Sequence, residues 1–372
     1  MIQPARIKKI LVIKICCLGD ILFMTPTLAA LRDAFPQARI DFLASSWVKD
    51  LLMRIVPSVG HIRWDAAFPG KSLLYRSTAT ISLAAELKRG GYDLALIGHR
   101  SWPFAALTYL VGIPIRAGFS SRWGDIFLTH KTAFAAQAHE TQRYLRITQD
   151  LGINAPATGE LKLKPAPGDA QAAQRLLQDH GADIGQRPIC ILPAGGNNPG
   201  TKMPIKHWPH GLYTQLIDRL LARTSHPILL LGDINDKAVA SRIVDSVAPL
   251  ERKRLIDLTG KTDFSGLTGL LSMSRLSIGA DSGPLHMSAA LAAPTLILFG
   301  PSDPRLVAPP NPNCRYLWKQ VDCAPCYTPD SVTIATNYKR NEFLCHTGTY
   351  ACLQTLTVEE VLTAAMDMLD HA

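Results

Sequence analysis

The stretch Asp281-Ser282-Gly283-Pro284-Leu285-His286 follows directly on the apolar run Arg275–Ala280. Ser282 suits a helix N-cap, and Pro284 suits the first helical turn, where its missing N–H costs nothing. Gly283 lets a ligand approach the backbone closely. The first N–H groups of the helix and the positive end of its dipole then form an anion site, with His286 projecting from the first turn. A phosphate or diphosphate fits such a site. The motif taken alone is equally compatible with an ordinary capped helix carrying a structural histidine.

Three further groups of residues could do chemistry. Residues 195–202 read Gly-Gly-Asn-Asn-Pro-Gly-Thr-Lys, which nearly spells a P-loop. The order Gly-Thr-Lys replaces the required Gly-Lys-Ser/Thr, and Pro204 stops a helix from starting at once, so an NTPase is excluded. Backbone amides around Asn197 and Thr201, with Lys202 or Lys206, can still cradle phosphates without hydrolysing them. Asp20 stands at the tip of the first expected strand, after Gly19 and before a helix; it either caps that helix or serves as a general base. Cys323-x2-Cys326 and Cys345-x6-Cys352 have a ligand count for structural zinc, but His346 and Cys314 blur the ligand set, and reduced, unliganded thiols are the preferred reading. No GxGxxG fingerprint is present, so hydride transfer has no support.

Length and composition set the frame for these sites. A chain of 372 residues fits two domains, and 47% apolar with 19% charged residues describes a globular protein rather than a disordered chain or coiled coil. No uninterrupted apolar run is long enough to cross a membrane. The apolar start, Ile10 to Met24, is interrupted by Lys14 and Asp20 and has no small-residue cleavage site after it, so it reads as a buried strand in a cytoplasmic protein. Eight cysteines in a chain this long do not make a disulfide scaffold. Residues 1–165 hold 21 Lys+Arg against 11 Asp+Glu, and the remainder 18 against 19, so the whole net charge of +9 originates in the first half. A one-sided field suits an anionic partner such as phosphorylated lipid, nucleic acid or a membrane surface.

Short apolar strands alternate with helices, which predicts parallel sheets covered on both faces. In the first half the strands are Ile10–Ile15, Arg39–Ala44 and Leu94–Gly98. A tight turn at Leu18-Gly19-Asp20 leads into one helix running through Leu31, and a second helix spans Ile81–Arg89. Residues 163–169 shift to Lys-Pro-Ala-Pro-Gly, the composition of a linker. The pattern then restarts with strands at Pro188–Leu192, Pro227–Leu231, Arg275–Ala280 and Thr295–Phe299, and helices at Trp208–Arg223 and Val358–Asp370. The tail from Cys314 to Cys352 reads as irregular. The fold class is thus α/β: two doubly wound domains, 1–165 and 166–372, facing across a cleft, with ligands outside the carboxyl ends of the strands.

Jointly these segments resemble glycosyltransferase family 9, the heptosyltransferases of lipopolysaccharide core assembly. The resemblance rests on the opening run Ile10 to Leu31 with Gly19-Asp20, on Lys206-His207-Trp208-Pro209, on Asp281 to His286, and on Phe299-Gly-Pro-Ser-Asp-Pro304. It implies a GT-B fold of two Rossmann-like domains, acceptor on the first and nucleotide-sugar on the second. It also implies inverting transfer without a metal ion; no DxD carboxylate pair is present to hold one. By resemblance Asp20 is the catalytic base. The donor, ADP-heptose, contacts Lys206, Asp281, Ser282, Gly283, Pro284 and His286, and the acceptor is an anionic lipid-linked core saccharide. Lys71, Arg76, Arg100, Arg116 and Arg122 are the acceptor-binding candidates. The implied setting is the cytoplasmic surface of the inner membrane, with no nucleic acid. The cysteine-bearing tail resembles the less characterised members of the family. A sugar-nucleotide epimerase of the same fold, or a non-catalytic phosphoglycolipid-binding protein, are the rival readings; neither needs both a basic acceptor domain and a well-formed donor site.

Overall fold

The computed structural model describes residues 6–15, 17–55, 59–65, 73–182, 185–196, 201–249, 252–328, 335–337 and 341–371. The chain forms two compact units, Met1–Lys162 and Leu163–Ala372.

The first unit is built on a six-stranded parallel sheet of β1 (Lys9–Ile13), β2 (Arg39–Ala44), β3 (Gly60–Arg63), β4 (Leu94–Ile97), β5 (Ile115–Phe119) and β6 (His130–Thr132), in the order β3-β2-β1-β4-β5-β6. The second repeats the plan with β7 (Ile189–Leu192), β8 (Ile228–Leu230), β9 (Leu255–Asp257), β10 (Leu276–Ala280), β11 (Thr295–Phe299) and β12 (Cys314–Trp318), in the order β12-β11-β10-β7-β8-β9. Central strands such as β4, β7 and β11 are buried at every residue, which is what helices on both faces require of them. In each sheet the first strand is flanked on one side by the second and on the other by the fourth. The chain therefore reverses direction across the sheet between β1 and β4, and between β7 and β10.

Several expectations need correction. Leu18–Asp20 is no turn: the residues open a helix, Leu18–Phe23, entered through Cys17 at φ 74°. The single helix expected through Leu31 is two, because Pro26 cannot donate to the preceding turn and instead begins Thr25–Ala34. The expected linker packs into the second unit. Leu161 and Leu163 are buried, the Leu163 N–H donates to the Ala290 carbonyl at 3.0 Å, and Asp169 is buried at the start of the helix Asp169–Asp179. The helix foreseen from Trp208 starts at His210, leaving Trp208 in the core, its Nε1 donating to the Leu356 carbonyl at 2.9 Å. The tail is not wholly irregular, since Cys314–Trp318 is the edge strand of the second sheet, followed by the hairpin β13 (Ala335–Asn337) and β14 (Glu342–Leu344). The closing helix Val358–Asp370 forms as expected and packs Val361, Leu362, Ala365 and Leu369 into the second core. Among the described residues no helix is long and apolar enough to cross a membrane.

Candidate active site

Each reversal point holds a lysine paired with an aspartate. At the end of β1 the Lys14 ammonium is 3.1 Å from Asp20 Oδ2, with the lysine side chain 11% exposed and the aspartate 35%. Burial alone would drive Lys14 towards neutrality, but Asp20, then Tyr144 and Glu140, outweigh it and hold the ammonium well above its ordinary value. Lys14 also sits 5.4 Å from the centre of the Tyr144 ring, and the Tyr144 hydroxyl donates to Glu140 Oε1 at 2.7 Å. Asp20 is thus a carboxylate held against the Lys14 ammonium and partly open to solvent. Asp20 lies in the first turn of that helix, where its charge suits the positive end of the helix dipole.

His99 follows β4, beside this pair. Its Nε2 accepts the Ile15 N–H at 2.8 Å, and its ring stacks on Phe104 with centroids 5.1 Å apart. Burial, and then the nearby charge of Lys14, push the imidazole down to about 3. His99 therefore stays neutral, with the proton on Nδ1, and braces the loop that carries Lys14.

At the end of β10 the arrangement is tighter. Lys206 Nζ lies 2.6 Å from Asp281 Oδ2, and His286 Nε2 lies 3.1 Å from Asp281 Oδ1, with both Asp281 and His286 buried. Burial works to raise the Asp281 carboxyl, but Lys206 and then His286 outweigh it and hold it well below the usual carboxylate range. Ser282 occupies the N-cap position of the helix Gly283–Ala290 by its backbone, yet its side chain makes no cap bond. Its buried Oγ is without a hydrogen-bond partner. Pro284 sits in the first turn as expected. The loop after β7 closes on the same point. Gly195 and Gly196 adopt φ of 119° and 75°, and a Cβ on Gly195 would come within 3.1 Å of Ser282 Cβ. The Gly195 carbonyl receives a bond from His207 Nε2 at 2.9 Å, and Lys206 lies 5.4 Å from the Tyr327 ring centre. Helix-terminal amides, an unsatisfied hydroxyl and a fixed ammonium thus converge at one strand end, the components of a diphosphate site. In this set Asp281 is a carboxylate that orients Lys206 and His286, rather than itself a group for an anion.

The remaining expected site residues divide. Asn197 and Lys71 lie outside the described residues. Thr201 is half-buried, and exposed Lys202 is tied through its backbone to Asn341 and Phe343. The Arg116 guanidinium is committed to the carbonyls of Phe127 at 2.6 Å, Ile113 and Pro114, so its charge braces a loop and leaves the acceptor set. Arg76, Arg100 and Arg122 are exposed; Arg100 stacks on Phe134 and Arg122 on Trp123. Cys323, Cys326, Cys345 and Cys352 are thiols and near neighbours. Burial, then Cys345 and Cys323, raise the Cys326 thiol, and Cys352 is pushed up to about 12, first by burial and then by the other three. Cys345 goes the other way: burial works against the shift, while Thr347, Tyr350 and Gly348 donate to its sulfur and lower it. Among the described residues no three His, Cys, Asp or Glu side chains are placed to hold an ion. Cys326 packs with Met203 and Ile205, and Cys352 with the main core.

Lys14, His99 and Tyr144 were not anticipated as site residues. The one signal for Lys14 is a cation inside a buried apolar run, six residues ahead of an aspartate.

Two Rossmann-like domains, each with its polar cluster at the switch point of a parallel sheet, define a GT-B protein. Residues 80–334 match the model of glycosyltransferase family 9 (heptosyltransferase), and the chain belongs to that family of enzymes. The lipopolysaccharide heptosyltransferase 2 of Escherichia coli K12 is 27% identical over 320 residues, spanning 83% of this chain and 87% of that protein. The family 9 glycosyltransferase of Veillonella parvula superposes with a TM-score of 0.79 at 21% identity, over 98% of both chains. The E. coli ADP-heptose lipopolysaccharide heptosyltransferase II gives 0.76 at 21% identity, over 98% of this chain and 99% of that one. More distant, at 0.60 and 15% identity over 98% of this chain and 79% of its own, is the iron-containing dodecameric glycosyltransferase TibC of enterotoxigenic E. coli H10407.

The state of His99 makes the fold sensitive to acid. A histidine held at about 3 stays neutral when folded, but in the unfolded chain it binds a proton below its ordinary value near 6.5. The unfolded state then binds more protons, so stability falls as pH drops through that window. Between pH 6.5 and 5 the wild type should lose about 2 kcal/mol more than His99→Gln in urea titrations. Equal losses would show that His99 is not buried as a neutral ring.

Proposed function

We propose that this protein transfers heptose from ADP-heptose onto an anionic, lipid-linked saccharide of the lipopolysaccharide core, with inversion and without a catalytic metal ion. The observation that carries this reading is the pair of lysine–aspartate clusters, one open and one closed. Its support is the family membership and the curated heptosyltransferase relatives.

In the proposed step the acceptor hydroxyl oxygen attacks the anomeric carbon of the sugar. The bond from that carbon to the diphosphate oxygen breaks, and its electron pair leaves with the nucleoside diphosphate. The acceptor proton passes to the Asp20 carboxylate, which the Lys14 ammonium holds in place. Charge developing on the leaving diphosphate is met by Lys206 and by the amides opening the helix Gly283–Ala290, positioned in advance by Asp281. The Ser282 hydroxyl gains its missing partner from a phosphate oxygen. Backbone dipoles and ammonium groups replace the divalent cation.

Arg76, Arg100 and Arg122 are the proposed contacts to acceptor anions, at the cytoplasmic face of the inner membrane. An epimerase would work on the donor alone and has no use for Asp20 and a basic first unit.

Asp20→Asn should lower kcat by about 10²–10⁴-fold while nucleotide affinity is unchanged; near wild-type turnover would reduce Asp20 to a structural partner of Lys14. Transfer in excess EDTA should equal transfer with magnesium, and a collapse rescued by Mg²⁺ would overturn the metal-free site.

Lys206→Met should weaken ADP binding by about 1–3 kcal/mol in calorimetry and also destabilise the fold, because it leaves Asp281 buried and uncompensated. Adding Asp281→Asn should recover much of the stability and none of the affinity. Recovery of both would mean that Lys206 serves the fold alone.

A further inference from the structure

Five of the nine large apolar side chains exposed among the described residues fall in one patch of the first unit. The helix Trp102–Leu110 has no charged residue; Ala105, Ala106 and Thr108 face the core, while Trp102, Tyr109 and Leu110 are 47%, 52% and 75% exposed. A short turn, Asp125–Phe127, packs on this helix. The Phe127 ring lies 6.2 Å from Trp102 and 5.6 Å from Tyr109, and a Cβ on Gly124 would touch the Trp102 backbone at 3.7 Å. The same turn holds out Ile126 at 75% exposure, and Trp123 just before it at 64%. Single exposed apolar residues need no explanation; a contiguous set of aromatic and aliphatic ones does.

The charges around the patch identify its occupant. The Arg122 guanidinium lies 5.3 Å from the Trp123 ring centre, and Arg100 and Lys131 are exposed nearby. The one acid in the patch, Asp125, is turned inward to the Ser120 hydroxyl at 2.8 Å and the Ser121 N–H at 2.8 Å. Tryptophan and tyrosine flanked by cations suit a bilayer interface, where rings enter the headgroup region, polar tips stay wet and cations meet anionic lipids. A second copy of this chain in a two-fold interface would set like cations against each other.

We propose that this patch docks the protein onto an anionic lipid bilayer, with Trp123 and Ile126 entering the headgroup layer. The proposal rests on the lipid-linked acceptor of the preceding section and supplies its membrane surface. The patch adjoins His99, Arg100, Ser101 and Gly118, which lie at the same end of the sheet as Asp20. Docking here holds the acceptor saccharide at the strand ends while its lipid stays in the bilayer.

The test is co-sedimentation with phosphatidylethanolamine vesicles, with and without phosphatidylglycerol. It is run beside transfer to an acceptor saccharide freed of its lipid. The double variant Trp123→Ser with Ile126→Ser should lose about tenfold or more in vesicle partition, with an unchanged melting temperature and unchanged transfer to the lipid-free acceptor. Arg122→Gln should lose about fivefold, on phosphatidylglycerol-containing vesicles alone, the equivalent of ~1 kcal/mol per cation near an anionic surface. Undiminished partition of the double variant, or no vesicle binding by the wild type, would overturn the proposal. A wild-type dimer that the double variant dissociates would overturn it too and make the patch an interface between copies. Vesicle binding without transfer to any acceptor would leave the patch standing and sink the functional reading instead.

Discussion

A parallel sheet covered by helices on both faces has one place left for chemistry: the edge where its strands end. Everything polar that matters in this protein obeys that constraint. The central strands β4, β7 and β11 are buried at every residue, so a charged group within them would be strongly desolvated. At the carboxyl ends the chain turns outward, helices begin, and backbone N–H groups point to solvent. The order of strands narrows the choice further, because β1 parts from β4, and β7 from β10, where the connections diverge to opposite sides. Lys14, Asp20 and His99 stand at the first of these points, and Lys206, Asp281, Ser282 and His286 at the second.

The two lysine–aspartate pairs show how the same chemistry is set to different tasks by exposure. The Asp281 side chain is 5% exposed and shared between Lys206 and His286, so it cannot exchange a proton with a substrate. Breaking such a buried pair is costly, since the surviving charge has no solvent to turn to. What the pair supplies is a lysine held in one position beside helix-terminal amides. The Asp20 side chain keeps 35% of its surface, which is room for a hydroxyl to approach. His99 contributes to the difference by remaining uncharged. Its Nε2 accepts the Ile15 N–H and so braces the backbone beside Lys14.

How much of this could be read from the residues alone depended on whether the determining contact was local. The strands were legible because burial on both faces demands continuous apolar runs, and Ile189–Leu192 and Thr295–Phe299 announce themselves. Ser282, Gly283 and Pro284 were legible as a helix start because capping preferences act over three or four residues. The same local logic failed for the Ser282 side chain, whose hydroxyl turns into the site instead of back to the helix. It failed again at residues 163–169, where proline and glycine suggested a linker. The Leu163 and Asp169 contacts that bury this segment reach to Ala290 and Ser265, more than 90 residues away in sequence. Edge strand β12 was missed because a strand with one neighbour and an open side lacks the buried pattern; Arg315 and Tyr316 are exposed. Arg116 was counted as surface charge because composition cannot distinguish a guanidinium facing water from one spent on three carbonyls.

That last distinction bears on the meaning of the basic first half. Its excess of positive charge is a sum over side chains with different duties. Lys14 is buried against Asp20, Arg143 is buried and holds Glu140 with the carbonyls of Ala135 and Ala136, and Arg116 is bonded to its own loop. Such charges add to the long-range field but cannot close on a ligand. Arg76, Arg100, Arg122 and Lys131 are exposed to solvent. At physiological ionic strength the field of an exposed charge is screened over about 8 Å, so only cations within that reach of a docking surface steer or hold an anion there. Arg122, stacked on Trp123, meets the condition for the apolar patch by direct contact. Charge and apolar surface coincide there, and it is their coincidence, more than the net balance of the unit, that supports an anionic bilayer as the proposed partner.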